Sequence, residues 1–154
     1  MKTRTDISKD EPTIVMTRVF DAPRAILWDV FTDPKHIREW WGGEGTTNPV
    51  VEIDLRAGGR WNHVMRFPNG QELALSFVFV EVDAPKRIVW RSEGPHPSLT
   101  TVTFEDQGDK TLYTMTARFE SMASRDAALG YGFTRPIEAS NDALEIYLAK
   151  RSSQ

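Results

Sequence analysis

Between residues 50 and 119 the apolar side chains recur at alternate positions, in short runs broken by turn residues. This alternation restricts the fold more than any other feature of the chain. Val50 to Ile53 and Arg60 to Phe67 are two such runs. Pro68-Asn69-Gly70 then supplies a tight turn, because Asn-Gly accepts the positive φ values a hairpin demands, and Leu73 to Val82 returns. Asp83-Ala84-Pro85-Lys86 turns the chain into Arg87 to Arg91. After a loop holding Pro95 and Pro97, Leu99 to Glu105 and Thr111 to Phe119 form a last hairpin around Gln107-Gly108-Asp109-Lys110. Strands joined by turns this short pair antiparallel.

The flanks read differently. Thr13 to Asp21 is a further strand, and the polar first 12 residues form a flexible arm ahead of it. Ala22-Pro23 opens a helix with Ile26, Leu27, Val30 and Phe31 on one stripe. Asp33-Pro34 restarts the chain as a second short helix, an Asp cap followed by Pro at the first helical position, which stops at Gly42-Gly43. The chain ends in a long helix with Pro136 near its start and Lys150-Arg151 in its last turn, where cations suit the helix dipole. At 154 residues the length favours one domain, residues 13–154, of α+β class with six to seven strands.

Alternation also sorts the faces. Trp61, His63 and Met65 share one face, opposite Arg60, Asn62 and Arg66. Phe77 pairs with Phe79, Ile88 with Trp90, Val102 with Phe104, and Tyr113, Met115, Ala117 and Phe119 complete the apolar set. The terminal helix offers Ile137, Leu144 and Leu148, with Ser140, Asn141 and the small Ala139 and Ala143 between them. Two arrangements satisfy this pattern: a packed aromatic core, or a curved sheet enclosing an apolar cavity of the usual ligand-binding kind.

Composition excludes several kinds of chemistry. No cysteine is present, so no disulfide, thiolate nucleophile or cysteine-ligated metal is available, which suits the cytoplasm. The net charge is −3 with no basic run, which argues against a nucleic-acid partner. No apolar segment is long enough for a membrane span, and the polar N-terminus lacks the pattern of a secretory signal. His36, His63 and His96 show no metal-ligand spacing, and no nucleophile elbow or phosphate-binding fingerprint appears, so neither metal nor cofactor is expected. His63 is the one candidate acid or base, yet no fixed carboxylate partner is legible, and hydrogen bonding to a ligand or buried group is the simpler role. His36 belongs on the helix surface or supports the following loop, and His96 on a solvent-exposed loop. Asn141 needs partners within an apolar stripe: protein groups, water or a ligand. Tyr113 can offer a hydroxyl to the same space, while Arg56 and Arg60 belong to the loop around Gly58-Gly59.

The stretches FDAPRAILWDVFTDPKHIREWWG, DLRAGGRWNHVM, FPNGQE and EVDAPKRIVW, in this order and at these spacings, resemble the motifs of the activator of heat-shock protein 90 ATPase homologue family, within the START-like, polyketide-cyclase-like (SRPBCC) superfamily. The resemblance covers residues 13–150 and implies a helix-grip fold: a curved antiparallel sheet wrapped around the C-terminal helix, with a hydrophobic cavity between them. The cavity so implied is walled by Trp41, Trp61, His63, Met65, Phe77, Phe79, Trp90, Met115, Phe133 and Asn141. The chain departs from the family near its end, where Pro136-Ile137 stands at a common Gly-Trp pair and Asn141 at a Leu; Gly130 to Phe133 (GYGF) is the alternative source of the missing aromatic.

Three functions follow from the resemblance. The leading one is binding of a small hydrophobic or aromatic molecule. The second is a cyclase, aromatase or hydrolase with His63 as acid/base. The third is stimulation of a chaperone ATPase by protein contact. A homodimer through an aromatic edge or the loop 92–98 is compatible with the sequence, though no interface pattern marks it.

Overall fold

The computed structural model describes residues 2–94 and 97–152. Its elements are β1 (Arg4–Ile7), β2 (Thr13–Phe20), α1 (Arg24–Thr32), α2 (Pro34–Trp40), β3 (Thr47–Ile53), β4 (Arg60–Arg66), β5 (Glu72–Asp83), β6 (Arg87–Ser92), β7 (Ser98–Gln107), β8 (Lys110–Phe119), α3 (Met122–Gly130) and α4 (Thr134–Ser152). One sheet holds all eight strands in the order β1-β2-β8-β7-β6-β5-β4-β3, with every neighbouring pair antiparallel. α4 lies along its inner face and buries Ser140, Asn141, Leu144 and Leu148. This is a helix-grip fold. No helix is long and apolar enough to cross a membrane among the described residues.

Each strand read from the alternation is present, with the largest shift, three residues, at the start of β3. The strand count is eight instead of six to seven, because residues 4–7, in the segment read as a loose arm, pair with β2 in register Arg4↔Thr17 to Ile7↔Ile14. Four mostly exposed residues carry little intrinsic signal; pairing with a neighbouring strand makes them a strand. The chain also contains α3, which the sequence reading lacked. Ser121 caps it by accepting from the Ser124 N–H at 3.0 Å, but only Arg125 and Ala128 are buried on it, so its apolar stripe is faint. The Arg125 guanidinium donates to the carbonyls of Ser8, Glu11 and Thr13, which ties the chain ahead of β2 to this helix. His96 lies outside the described residues.

The alternation on β4 is complete: Trp61, His63 and Met65 are buried, while Arg60, Asn62 and Arg66 are exposed. α2 begins as its sequence requires, with Asp33 accepting from the Lys35 N–H at 2.9 Å and Pro34 at the first helical position. Trp40 anchors its end, since its indole N–H donates to the Val30 carbonyl at 3.0 Å and its ring packs on Phe31.

Two irregularities shape the inner face. On β3 the register slips between Thr47 and Val50, so one extra residue turns the buried Asn48 inward out of phase with Val51. On β5 Val80 is the extra residue against β6. Beside it, the Gly58 N–H donates to the Phe79 carbonyl and the Phe79 N–H to the Gly59 carbonyl. Gly59 is sterically obligatory, because a Cβ there would sit 2.0 Å from the Asp54 carbonyl oxygen.

Candidate functional site

The aromatic residues of β4, β5 and β6 converge on Trp61. Its ring meets Trp41 edge-on at 5.0 Å, Phe77 at 5.1 Å and Trp90 at 5.5 Å, and stacks along Phe79 at 6.2 Å. Such offset and edge-to-face geometries are the favourable ones for aromatic pairs. Trp41 is only half-buried and closes the end of the cluster. The loop after it is pressed onto α4: the Gly42 N–H donates to Ser140 Oγ at 2.8 Å, and a Cβ on Gly43 would meet Ala139 Cβ at 2.9 Å. Both glycines have φ of +87°, a conformation that other residues rarely adopt.

Of the ten residues assigned to the cavity wall, Trp41, Trp61, His63, Phe77, Phe79 and Trp90 form this one cluster. Met65 follows on β4 and lies under the glycine loop, its Cε being 2.9 Å from where a Gly42 Cβ would be. Met115, Phe133 and Asn141 lie elsewhere. Met115 pairs with Met16 across β2 and β8; Phe133 is half-buried edge-on against Phe119 at 5.4 Å; Asn141 belongs to a separate polar cluster described below. Trp61, Tyr113, Phe20, Phe104 and Leu144 are fully buried. Two solvent-open depressions, about 460 and 250 Å³, lie elsewhere, one around Asp54, Arg56 and Gly59 and the other around Arg91, Ser98 and Arg118.

His63 is engaged on both ring nitrogens. The Trp61 indole N–H donates to Nδ1 at 3.2 Å, so Nδ1 is the acceptor and the proton sits on Nε2, which donates to Asn48 Oδ1 at 2.8 Å. Asn48 Nδ2 in turn donates to the carbonyls of Arg38 and Trp41, both at 3.1 Å, at the C-terminal end of α2. Burial lowers the His63 pKa from 6.5 to about 4, so the imidazole is neutral near pH 7. The relay is a strut between β4 and the end of α2, with no free nitrogen for proton transfer. Asn48 is not among the sequence candidates because the alternating run begins only at Val50, which leaves Asn48 ahead of the strand; Pro49 within the observed strand is the available sign of a bulge.

A second polar cluster lies between β2, β8 and the opposite flank of α4. Arg18 shares the inner face with Ile14, Met16 and Phe20. Its guanidinium contacts Asp142 at 2.7 Å and Glu145 at 3.1 Å on α4, and its Nη1 also donates to Thr3 Oγ1 at 3.2 Å. Asn141 Nδ2 donates to the same Thr3 oxygen at 3.2 Å, and its side chain lies beside the Tyr113 hydroxyl. Burial pushes the Tyr113 phenol well above its ordinary pKa, which keeps it protonated. The sequence sign for Arg18 was its parity in TIVMTRVF, a cation on the apolar face.

The remaining polar candidates serve local structure. Arg56 donates to Asp54 at 2.8 Å and Arg60 lies 3.5 Å from Glu93, both on the surface. His36 Nδ1 is 2.7 Å from the Tyr147 hydroxyl and joins α2 to α4. Among the described residues no three His, Asp or Glu side chains gather as a metal site.

An eight-stranded antiparallel sheet gripping a C-terminal helix, with a largely aromatic inner face, places the chain in the helix-grip class. Residues 21–149 match the family described as Activator of Hsp90 ATPase homolog 1-like protein, and the chain belongs to that family. A comparison with curated proteins finds no match. Among solved structures it is similar to the protein Ms6760 from Mycobacterium smegmatis, at 24% identity and a TM-score of 0.88, over 98% of this chain and 99% of that one. The protein NE0264 from Nitrosomonas europaea is 22% identical with a TM-score of 0.85, over 96% and 100% of the two chains. The AHSA1-like protein from Aeromonas hydrophila is 18% identical with a TM-score of 0.69, over 91% and 95%. At these identities the likeness is one of fold.

Proposed function

We propose that the protein binds a small apolar or aromatic molecule between the inner face of the sheet and α4, and that the aromatic cluster parts to admit it. The observation that carries this reading is Trp41. It is a half-buried indole placed edge-on to the buried Trp61, and a two-glycine loop held to α4 through Ser140 follows it directly. Core packing alone does not require the outermost ring of such a cluster to be left half open. α4 faces that loop with the small residues Ala139 and Ser140, so little bulk has to move if the loop lifts. Met65, Met16 and Met115 add adaptable side chains to the same face. Binding is favoured over acid–base chemistry because His63 spends both nitrogens on Trp61 and Asn48.

Native mass spectrometry of the protein purified from its own host tests the reading. A reproducible small apolar adduct, lost on Trp41→Ala substitution, is the expected result. Protein that carries no adduct and shows no saturable change in tryptophan fluorescence with any apolar probe refutes it.

A further inference from the structure

The polar cluster under α4 has the construction of a binding site whose occupant is part of the chain. Two donors from different elements, Arg18 Nη1 on β2 and Asn141 Nδ2 on α4, converge on one oxygen, Thr3 Oγ1, each at 3.2 Å. Thr3 precedes β1, a four-residue edge strand with three exposed residues, so the segment that fills this position lies at the edge of the sheet. Arg18 is 3% exposed, and its Nε is buried without a hydrogen-bond partner, a donor left over after Asp142, Glu145 and Thr3 are satisfied. The neighbours are deformable: Met16 and Met115 pair across the strands one step from Arg18 and Tyr113, which pair with each other.

We propose that Arg18, Asn141 and Tyr113 form a recognition site for a neutral oxygen atom (hydroxyl, carbonyl or ether) on an otherwise apolar molecule, and that Thr3 supplies that oxygen in the free protein. The inference rests on the ligand-binding reading above and names the polar end of its ligand. The oxygen is neutral because two carboxylates, Asp142 and Glu145, already face the single guanidinium, so an anion would be repelled. The site is therefore matched to an aromatic alcohol or ketone, and the ligand's oxygen displaces the Thr3 hydroxyl and loosens β1.

The test uses indane and 2-indanol, which differ by one hydroxyl, with the full-length chain and isothermal titration calorimetry. Thr3→Val removes the competing oxygen and is expected to tighten 2-indanol by about tenfold while leaving indane unchanged, and Thr3→Ser is expected to behave as the wild type. Adding Asn141→Leu to Thr3→Val should return 2-indanol to the affinity of indane. In the wild type, 2-indanol but not indane should accelerate hydrogen exchange in residues 4–7. If Thr3→Val shifts both probes equally, or neither, Thr3 only docks β1 and the oxygen site is overturned, with the apolar-ligand reading left standing. If no form of the protein binds either probe, the ligand-binding reading fails and the oxygen site fails with it.

Discussion

Replacing Asn48 by Leu tests whether the His63 relay is the strut that holds α2 to the sheet. The substitution conserves bulk but removes one acceptor and two donations: Oδ1 from His63 Nε2, and Nδ2 to the carbonyls of Arg38 and Trp41. His63 is 1% exposed, so water cannot replace its lost partner in the packed state. Moving the proton to Nδ1 gives no escape, since that nitrogen already faces the Trp61 N–H. The stranded Nε2–H costs about 1–3 kcal/mol. The two carbonyls add less, since Arg38 is exposed and Trp41 half-exposed, where water can replace part of the loss. The total expected is about 2–4 kcal/mol. Urea unfolding reads this as a lower midpoint at an unchanged slope. In a His63→Leu background the same Asn48 substitution should cost at least about 1 kcal/mol less, because no imidazole remains to be orphaned. A cost below about 0.5 kcal/mol, or an equal cost in both backgrounds, would refute the strut.

The pH dependence of stability carries the same relay in a second form. The folded His63 pKa, about 4, lies below its unfolded value of 6.5, so between these values the unfolded chain binds the additional proton. Stability from this group is complete above pH 6.5 and falls as the pH drops toward 4, by about 3 kcal/mol in all; His63→Gln should flatten that part of the profile relative to wild type in parallel urea titrations. Gly43→Ala forces a Cβ to within 2.9 Å of Ala139 and onto a backbone with φ of +87°, and should lower stability by more than about 1 kcal/mol in thermal melts. Arg125→Met removes the donor to the Ser8, Glu11 and Thr13 carbonyls, and should raise hydrogen exchange in residues 4–13 while leaving β4 to β6 protected.

The starts of α1, α2 and α4 and most strand limits were legible because each depends on residues close in the chain. Asp33-Pro34 caps and opens α2 within three positions, and Asn69-Gly70 closes the β4–β5 hairpin within its own turn. The inward set of β4 was legible for the same reason, since a pleated strand alternates whatever covers it. β1 and α3 were not legible: β1 exists through its pairing with β2, and α3 buries only Arg125 and Ala128. Of the candidate wall, the aromatic group around Trp61 was found together, whereas Met115, Phe133 and Asn141 were drawn to other neighbours.

The sequence by itself determined the order of the elements other than β1 and α3, the aromatic inner face and the family, through periodicity, turn chemistry and motif spacing. Only the tertiary structure decided what the polar residues do. His63 meets Asn48 across 15 positions because a bulge turns Asn48 inward, and Asn141 meets Thr3 across 138 because the N-terminal segment pairs at the far edge of the sheet. How tightly the aromatic face is filled also depends on where α4 lies, and the Gly42–Ser140 hydrogen bond and the Gly43–Ala139 approach help set that position. Local pattern specifies a strand's two faces; it carries no information on which distant group arrives at either one.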